Sequence, residues 1–152
     1  MGIRLTTSMS KVNAYLKAEQ ERIQALTIRA LSYLGEMCVK EARDRAPEDS
    51  WVDRTGNLRS SIGYVISYKG KIIQYSDFEQ VRQGSEGTRI GKDLAKEIAE
   101  EYANGYALVV VAGMNYAEYV EAMDNKDVLA HPELFARAQL PKIMEKLKRQ
   151  IG

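Results

Sequence analysis

The longest continuous pattern in the chain predicts an amphipathic helix over residues 8–46. Ser8 or Ser10 can cap its start. Pro47 ends it, because proline disfavours helical geometry in the residue before it. The apolar residues that recur close to helical spacing are Val12, Leu16, Ile23, Leu26, Ala30, Leu34, Met37 and Cys38.

Such a helix would be roughly 58 Å long at about 1.5 Å per residue. That is more than a globule of 152 residues can cover along its whole length. We therefore expect one of two outcomes. Either the helix breaks, with Gly35 and the Thr27–Ile28 pair as the plausible bends, or part of it packs on another subunit.

Residues 58–68 and 71–75 predict a β-hairpin that turns at Lys69-Gly70. One face of the first strand carries Ile62, Tyr64, Ile66 and Tyr68 at a period of two. A segment with Gly84, Gly87 and Gly91 follows and predicts a mobile loop. Residues 93–102 then predict a charged helix whose apolar stripe is Leu94, Ile98 and Tyr102.

Residues 106–112 give the strongest strand signal, a continuous apolar run that predicts a central strand buried on both faces. A short helix over 116–123 and a short strand over 128–130 are expected next. Pro132 suits the first turn of a final helix that reaches about residue 150. The whole pattern predicts one α+β domain over residues 1–152, with a small antiparallel sheet flanked by the three main helices.

Composition narrows the range of functions. The net charge of +1 gives the chain no overall attraction to nucleic acid or to an anionic membrane. A single cysteine cannot form an internal disulfide, which is typical of a reducing cytoplasm. No stretch approaches the roughly 20 apolar residues of a membrane span, and residues 1–10 lack a signal-peptide pattern. We therefore expect synthesis in a cytoplasm.

Residues that could support catalysis are few. His131 is the only histidine, so a triad or a zinc site would depend on it alone. Cys38 falls on the apolar face of the first helix, where a buried, inert thiol is expected. The glycine-rich segment at 84–92 lacks the spacing of a phosphate-binding loop. We expect no enzyme activity, no cofactor and no metal.

A basic face on the final helix leaves one alternative open. Lys142, Lys146 and Arg149 lie on one side of that helix. They would suit a nucleic-acid-binding accessory protein, for which salt-dependent phosphate contacts are the signature. No aromatic residue is interleaved with these bases in the sequence, and a solvated helix end with favourable dipole placement is the simpler explanation of them.

Two short motifs, about fifty residues apart, carry a resemblance to a known family. The first is Ala46-Pro47 followed by Thr55-Gly56-Asn57-Leu58-Arg59-Ser60-Ser61-Ile62. The second is Tyr116-Ala117-Glu118-Tyr119-Val120-Glu121, directly after the apolar strand. Together with a closing helix that carries Phe135 and Ala138, they resemble the siphophage tail-component family, the tail-completion or head–tail joining proteins of long-tailed phages.

This resemblance implies a structural role without substrate or cofactor. Members assemble as a ring, often of six copies, between the head connector and the tail tube or its terminator. The implied location is the neck or tail of a virion, after assembly in the cytoplasm of a bacterial host. Nucleic acid would be a partner only in passing through the ring. Residues 122–125 depart from the family, which commonly has a Gly-Thr turn there.

Contact residues are predicted in two places. The 48–59 loop carries Trp51, Arg54 and Arg59, and arginine and tryptophan are enriched at contact hot spots. After the apolar strand, Glu118 and Glu121 are expected to face outward. We expect these five residues to contact neighbouring subunits or the connector.

Overall fold

The computed structural model of the chain describes residues 2, 4, 6–44, 56–78, 84–113 and 130–152. Within these ranges it contains four helices and three strands, which confirms the α+β class. In chain order they are α1 (Met9–Arg43), α2 (Asn57–Ser60), β1 (Ile62–Tyr68), β2 (Lys71–Tyr75), α3 (Ser85–Glu101), β3 (Tyr106–Ala112) and α4 (Ala130–Ile151).

Two of the predicted elements fall largely on residues outside these ranges. The short helix predicted over 116–123 lies wholly outside them. Of the strand predicted over 128–130, the structure describes only Ala130, which is the first residue of α4.

Helix α1 is continuous from Met9 to Arg43, so the expected break at Gly35 or at Thr27–Ile28 is wrong. Its 35 residues span about 52 Å. The predicted cap at Ser8 is confirmed, since the Ser8 hydroxyl accepts a hydrogen bond from the backbone N–H of Lys11 at 3.4 Å. The other expected outcome, packing of part of the helix on another subunit, stays a prediction.

The hairpin of β1 and β2 turns where the sequence predicts it. Lys69 and Gly70 both adopt left-handed backbone angles, with φ of 52° and 80°. Two such residues in succession form the turn whose twist matches that of the flanking strands. The predicted strand start at Leu58 is wrong, because residues 57–60 form the single turn α2. The Ser61 hydroxyl closes that turn by donating to the carbonyl of Leu58 at 2.6 Å.

The sheet is antiparallel and its strand order is β2-β1-β3. The prediction that β3 is central is therefore wrong among the described strands: β1 is central, and β3 pairs with β1 alone. The apolar run of β3 has a different cause. Val109 and Val111 pack toward α3, whereas Leu108 and Val110 face a groove beside α1 and α4. Helices thus lie over both faces of β3.

Helix α1 covers one face of the sheet and approaches it closely at Gly35. A Cβ atom at Gly35 would lie 2.7 Å from Cγ of the Tyr64 ring, so only glycine fits there. The Tyr64 hydroxyl donates to the Glu36 carboxylate at 2.9 Å. Burial, reinforced by this bond, raises the pKa of Tyr64. The predicted inward face of β1 is confirmed at Ile62, Tyr64 and Ile66, all of which are buried.

Helix α3 covers the other face and begins at Ser85, so the mobile loop predicted over 84–92 is wrong. The glycines of that segment belong instead to a stripe of small residues that faces the sheet: Gly87, Gly91, Ala95 and Ala99 are buried. Leu94 and Ile98 pack at the edge of the same cluster. Tyr102 is 54 % exposed and is not part of the apolar stripe predicted for it.

We expect Gly91→Ala to lower the free energy of unfolding by about 1–2 kcal/mol net, because the overpacking here falls in the upper part of its usual cost of about 1–3 kcal/mol. A Cβ atom there would lie 2.4 Å from the backbone oxygen of Ser61, which cannot rotate away. This cost outweighs the gain in helix propensity of about 1 kcal/mol. Urea unfolding measures it. The exposed neighbour provides the control: Lys92→Ala should change the free energy of unfolding by less than about 0.5 kcal/mol. Equal or greater stability in Gly91→Ala would contradict the close approach.

Candidate interaction surfaces

Cys38 behaves as a packing residue. Its side chain is 2 % exposed, and Sγ lies 3.9 Å from the carbonyl oxygen of Pro132. Burial, with a smaller contribution from the charge of Glu41, raises the pKa of the thiol. The thiol therefore stays protonated at neutral pH, whereas a nucleophile needs the thiolate. The predicted buried thiol is confirmed.

The other chemistry-bearing positions give little to build on. His131 lies in the first turn of α4, and its side chain is outside what the structure describes. Among the described residues, no group of three or more His, Cys, Asp or Glu side chains is placed to hold a metal ion. In the same residues no helix has the length and apolar character to span a membrane.

The predicted contact residues are mostly beyond the described ranges. Trp51, Arg54, Glu118 and Glu121 all lie outside them. Arg59 is described: it lies in α2 and is partly buried. It therefore lies in the single helical turn that directly precedes β1.

Arg22 fixes where α4 ends on α1. The two helices run antiparallel, and the Arg22 guanidinium donates to the carbonyls of Gln150 at 3.1 Å and Ile151 at 2.8 Å. Those carbonyls belong to the last turn of α4, where no intrahelical donor remains. A cation at that end also interacts favourably with the helix dipole. Glu19 holds the same guanidinium at 3.0 Å.

Beyond Arg22, α1 continues for about 20 Å as an overhang formed by Met9–Glu21. Leu16 is 53 % exposed and Met9 is 59 % exposed. At 3.6 residues per turn they lie on the same side of α1 as Leu34, which is buried. The apolar stripe that packs inside the protein thus continues past the end of α4. This is the kind of segment that the sequence predicts to pack on another subunit.

An apolar groove of about 730 Å³ lies between α1, β3 and α4. Leu31 and Leu34 line it from α1, and Leu108 and Val110 line it from β3. Helix α4 contributes Ala136, Leu140, Ile143, Met144 and Leu147. The apolar face of α4 is predictable from the sequence, but its separation from the sheet is not, because the angle between elements is set by tertiary packing.

A second groove of about 370 Å³ lies on the other side of the line where α1 and α4 contact each other. Lys142 and Lys146 line it from α4, while Arg29 and Tyr33 line it from α1. We call it the basic groove. The basic face predicted from the sequence covers only the α4 half of this groove. It also includes Arg149, which instead pairs with Glu145 at 3.7 Å. The spacing of Arg29 and Tyr33, one turn apart, is the signal that could have identified the other half.

Comparison with known proteins gives one match. A family model described as "Bacteriophage HK97-gp10, putative tail-component" matches residues 10–122. The matched range extends from the overhang of α1 through the sheet and α3, beyond the end of β3. The chain matches no curated protein and no solved structure.

We expect Cys38 to react with a thiol reagent such as DTNB far more slowly in the native protein than after unfolding in urea. Its burial and its raised pKa both withhold the thiolate, so the native rate should be lower by on the order of a hundredfold or more. The control is Ala18→Cys in a Cys38→Ala background. Ala18 is exposed on the overhang, so its thiol should react at once. Equal rates at the two positions would contradict the buried site.

Proposed function

The chain belongs to the HK97-gp10-like family of bacteriophage tail components, and we propose that it joins the head connector to the tail of the virion. In this role it completes the neck as a structural protein and performs no catalysis. Its place is the virion, and it is assembled in the cytoplasm of the bacterial host. The family match over residues 10–122 supports a role in the tail. The more specific assignment to the neck is our proposal.

The observation that carries the proposal is the overhang of α1. A monomer gains little from about 20 Å of helix on which Met9 and Leu16 are exposed to solvent. A subunit in an assembly can bury the same stripe, from Met9 to Leu16, against a neighbour. Such a contact joins two different surfaces of identical chains, and repetition of it closes into a ring when the rotation allows. We propose a homo-oligomeric ring on this basis.

The 48–59 loop and the second motif supply the proposed contacts with other proteins. Trp51 and Arg54 are of the residue types enriched at contact hot spots, and Arg59 lies in α2, just before β1. Glu118 and Glu121 add charge beyond the end of β3. We assign these five residues to contacts with neighbouring subunits or with the head connector, and the tail tube or its terminator is the proposed partner on the other side of the ring.

Electron microscopy of particles made without the protein tests the proposal. We expect filled heads and separate tails, with infectivity restored by the gene supplied in trans. A matched variant addresses catalysis: His131→Ala supplied in trans should restore infectivity as well as the native gene does. Joined, infectious particles without the protein would refute the neck assignment. A complete failure of His131→Ala, with the variant folded, would instead point to chemistry at that histidine.

We expect Leu16→Asp to block assembly without affecting the fold. Leu16 is 53 % exposed, so the isolated protein should lose less than about 0.5 kcal/mol of stability. In an interface, the new carboxylate would be buried without a partner, which typically costs several kcal/mol. Urea unfolding measures the first effect, and the yield of joined particles measures the second.

The control for this variant is Ala18→Asp, which adds the same charge on the opposite side of the overhang. It should leave particle yield unchanged. Equal yields for the two variants would show that the stripe of Met9, Val12 and Leu16 faces solvent in the virion. A large loss of monomer stability in Leu16→Asp would show that this side chain packs within its own chain.

A further inference from the structure

The basic groove combines two helices that are distant in sequence. Its floor is apolar, formed by Ala30 of α1 and by Ile143 and Leu147 of α4. Its rim is polar and carries Arg29, Tyr33, Lys142, Lys146 and Gln150. The α4 members of the rim recur every four residues, so they form a row along one side of the groove. On the α1 side, Arg29 and Tyr33 stand one turn apart.

No carboxylate lines this groove among the described residues. The acidic residues of the two helices that are nearest in sequence to the rim are engaged elsewhere: Glu36 accepts from the Tyr64 hydroxyl, and Glu145 pairs with Arg149. Within the same part of the chain, Arg29, Lys142 and Lys146 form no ion pair. Three cations therefore line about 370 Å³ without a counter-charge from the residues that the structure describes.

The polar side chains of the rim also share the ability to donate hydrogen bonds. A guanidinium, two ammonium groups, a phenolic hydroxyl and a side-chain amide can all donate hydrogen bonds. These are the groups that proteins use to hold phosphate oxygens of a nucleic-acid backbone. Tyr33 is 61 % exposed, so its hydroxyl is accessible to such a ligand. The aromatic side chain that the α4 sequence lacks is thus supplied by α1.

We propose that the basic groove binds the phosphate backbone of duplex DNA. This inference rests on the proposed place of the protein in the neck, because there the polyanion that passes the ring is the phage genome. The contact is independent of sequence, since phosphate contacts position a duplex without reading its bases. This contact is confined to the basic groove, because at a net charge of +1 the rest of the surface adds no general attraction to DNA.

Fluorescence anisotropy of a labelled duplex with the full-length protein tests the inference. We expect binding at about 50 mM salt whose affinity falls with a log–log slope near −2.7, which corresponds to about three phosphates. The triple variant Arg29→Gln, Lys142→Gln, Lys146→Gln should reduce affinity by on the order of tenfold or more. It should also flatten the salt slope, and its urea midpoint should match that of the native protein.

The control variant is Lys71→Gln, Lys92→Gln, Lys96→Gln. It removes the same charge from exposed positions on β2 and α3. A change of less than about threefold is expected. Equal losses in the two triple variants would overturn the inference, because net charge alone would then explain the binding. Binding of polyglutamate with the same dependence on the groove would overturn it too, since the ligand would then be an acidic protein segment.

The two proposals can fail separately. Absence of DNA binding, together with unjoined particles in the deletion, would remove the groove assignment and leave the neck function. Groove-dependent binding, together with normal particles in the deletion, would remove the neck function and, with it, the identification of the genome as the ligand. Loss of self-association in the groove variant without any DNA binding would assign the groove to a contact between copies, against the inference.

Discussion

The close approach of two helices to the central strand determines the rest of the structure. Gly35 brings α1 against the Tyr64 ring on one face of β1. Gly91 brings α3 against the backbone of Ser61 on the other. Interiors are packed as densely as organic crystals, so an added methyl group at either glycine has no free volume to occupy. The position of α1 on the sheet then sets where α4 lies and how far the helix extends beyond it.

Much of this fold is predictable because local signals decide it. The hairpin at Lys69-Gly70, the bounds of β3 and the cap at Ser8 all follow from a few adjacent residues. The start of α3 does not follow from local signals. The low helix propensity of glycine favours a loop, whereas glycines four residues apart also suit a helix that packs closely on a sheet. Only the strand that α3 packs against decides between the two. Among the described strands, the position of β3 beside β1 alone is likewise set by strand order, on which an apolar run carries no information.

The surfaces were less predictable than the fold. Of the five predicted contact residues, the structure describes Arg59 alone, so the sequence hypothesis for the other four stays a prediction. Half of the basic groove is predictable from the sequence, since Lys142 and Lys146 indicate a charged face on α4. Their partners Arg29 and Tyr33 are more than a hundred residues away in sequence. A surface built by two helices is a product of their crossing, and periodicity within one helix cannot show it.

The continuity of α1 has a mechanical consequence. A free peptide as short as Met9–Glu21 would be marginal as a helix in water, because nucleation is unfavourable. Here the packed half of α1 is already helical, and the overhang is added by propagation alone. It therefore acts as a lever whose pivot is the contact at Gly35, where α1 packs on the sheet. A tilt of about 10° at Gly35 displaces Met9 by about 7 Å, because the two residues are about 39 Å apart along the helix. Small differences in how the helix is seated thus become large differences in where its tip meets a neighbour.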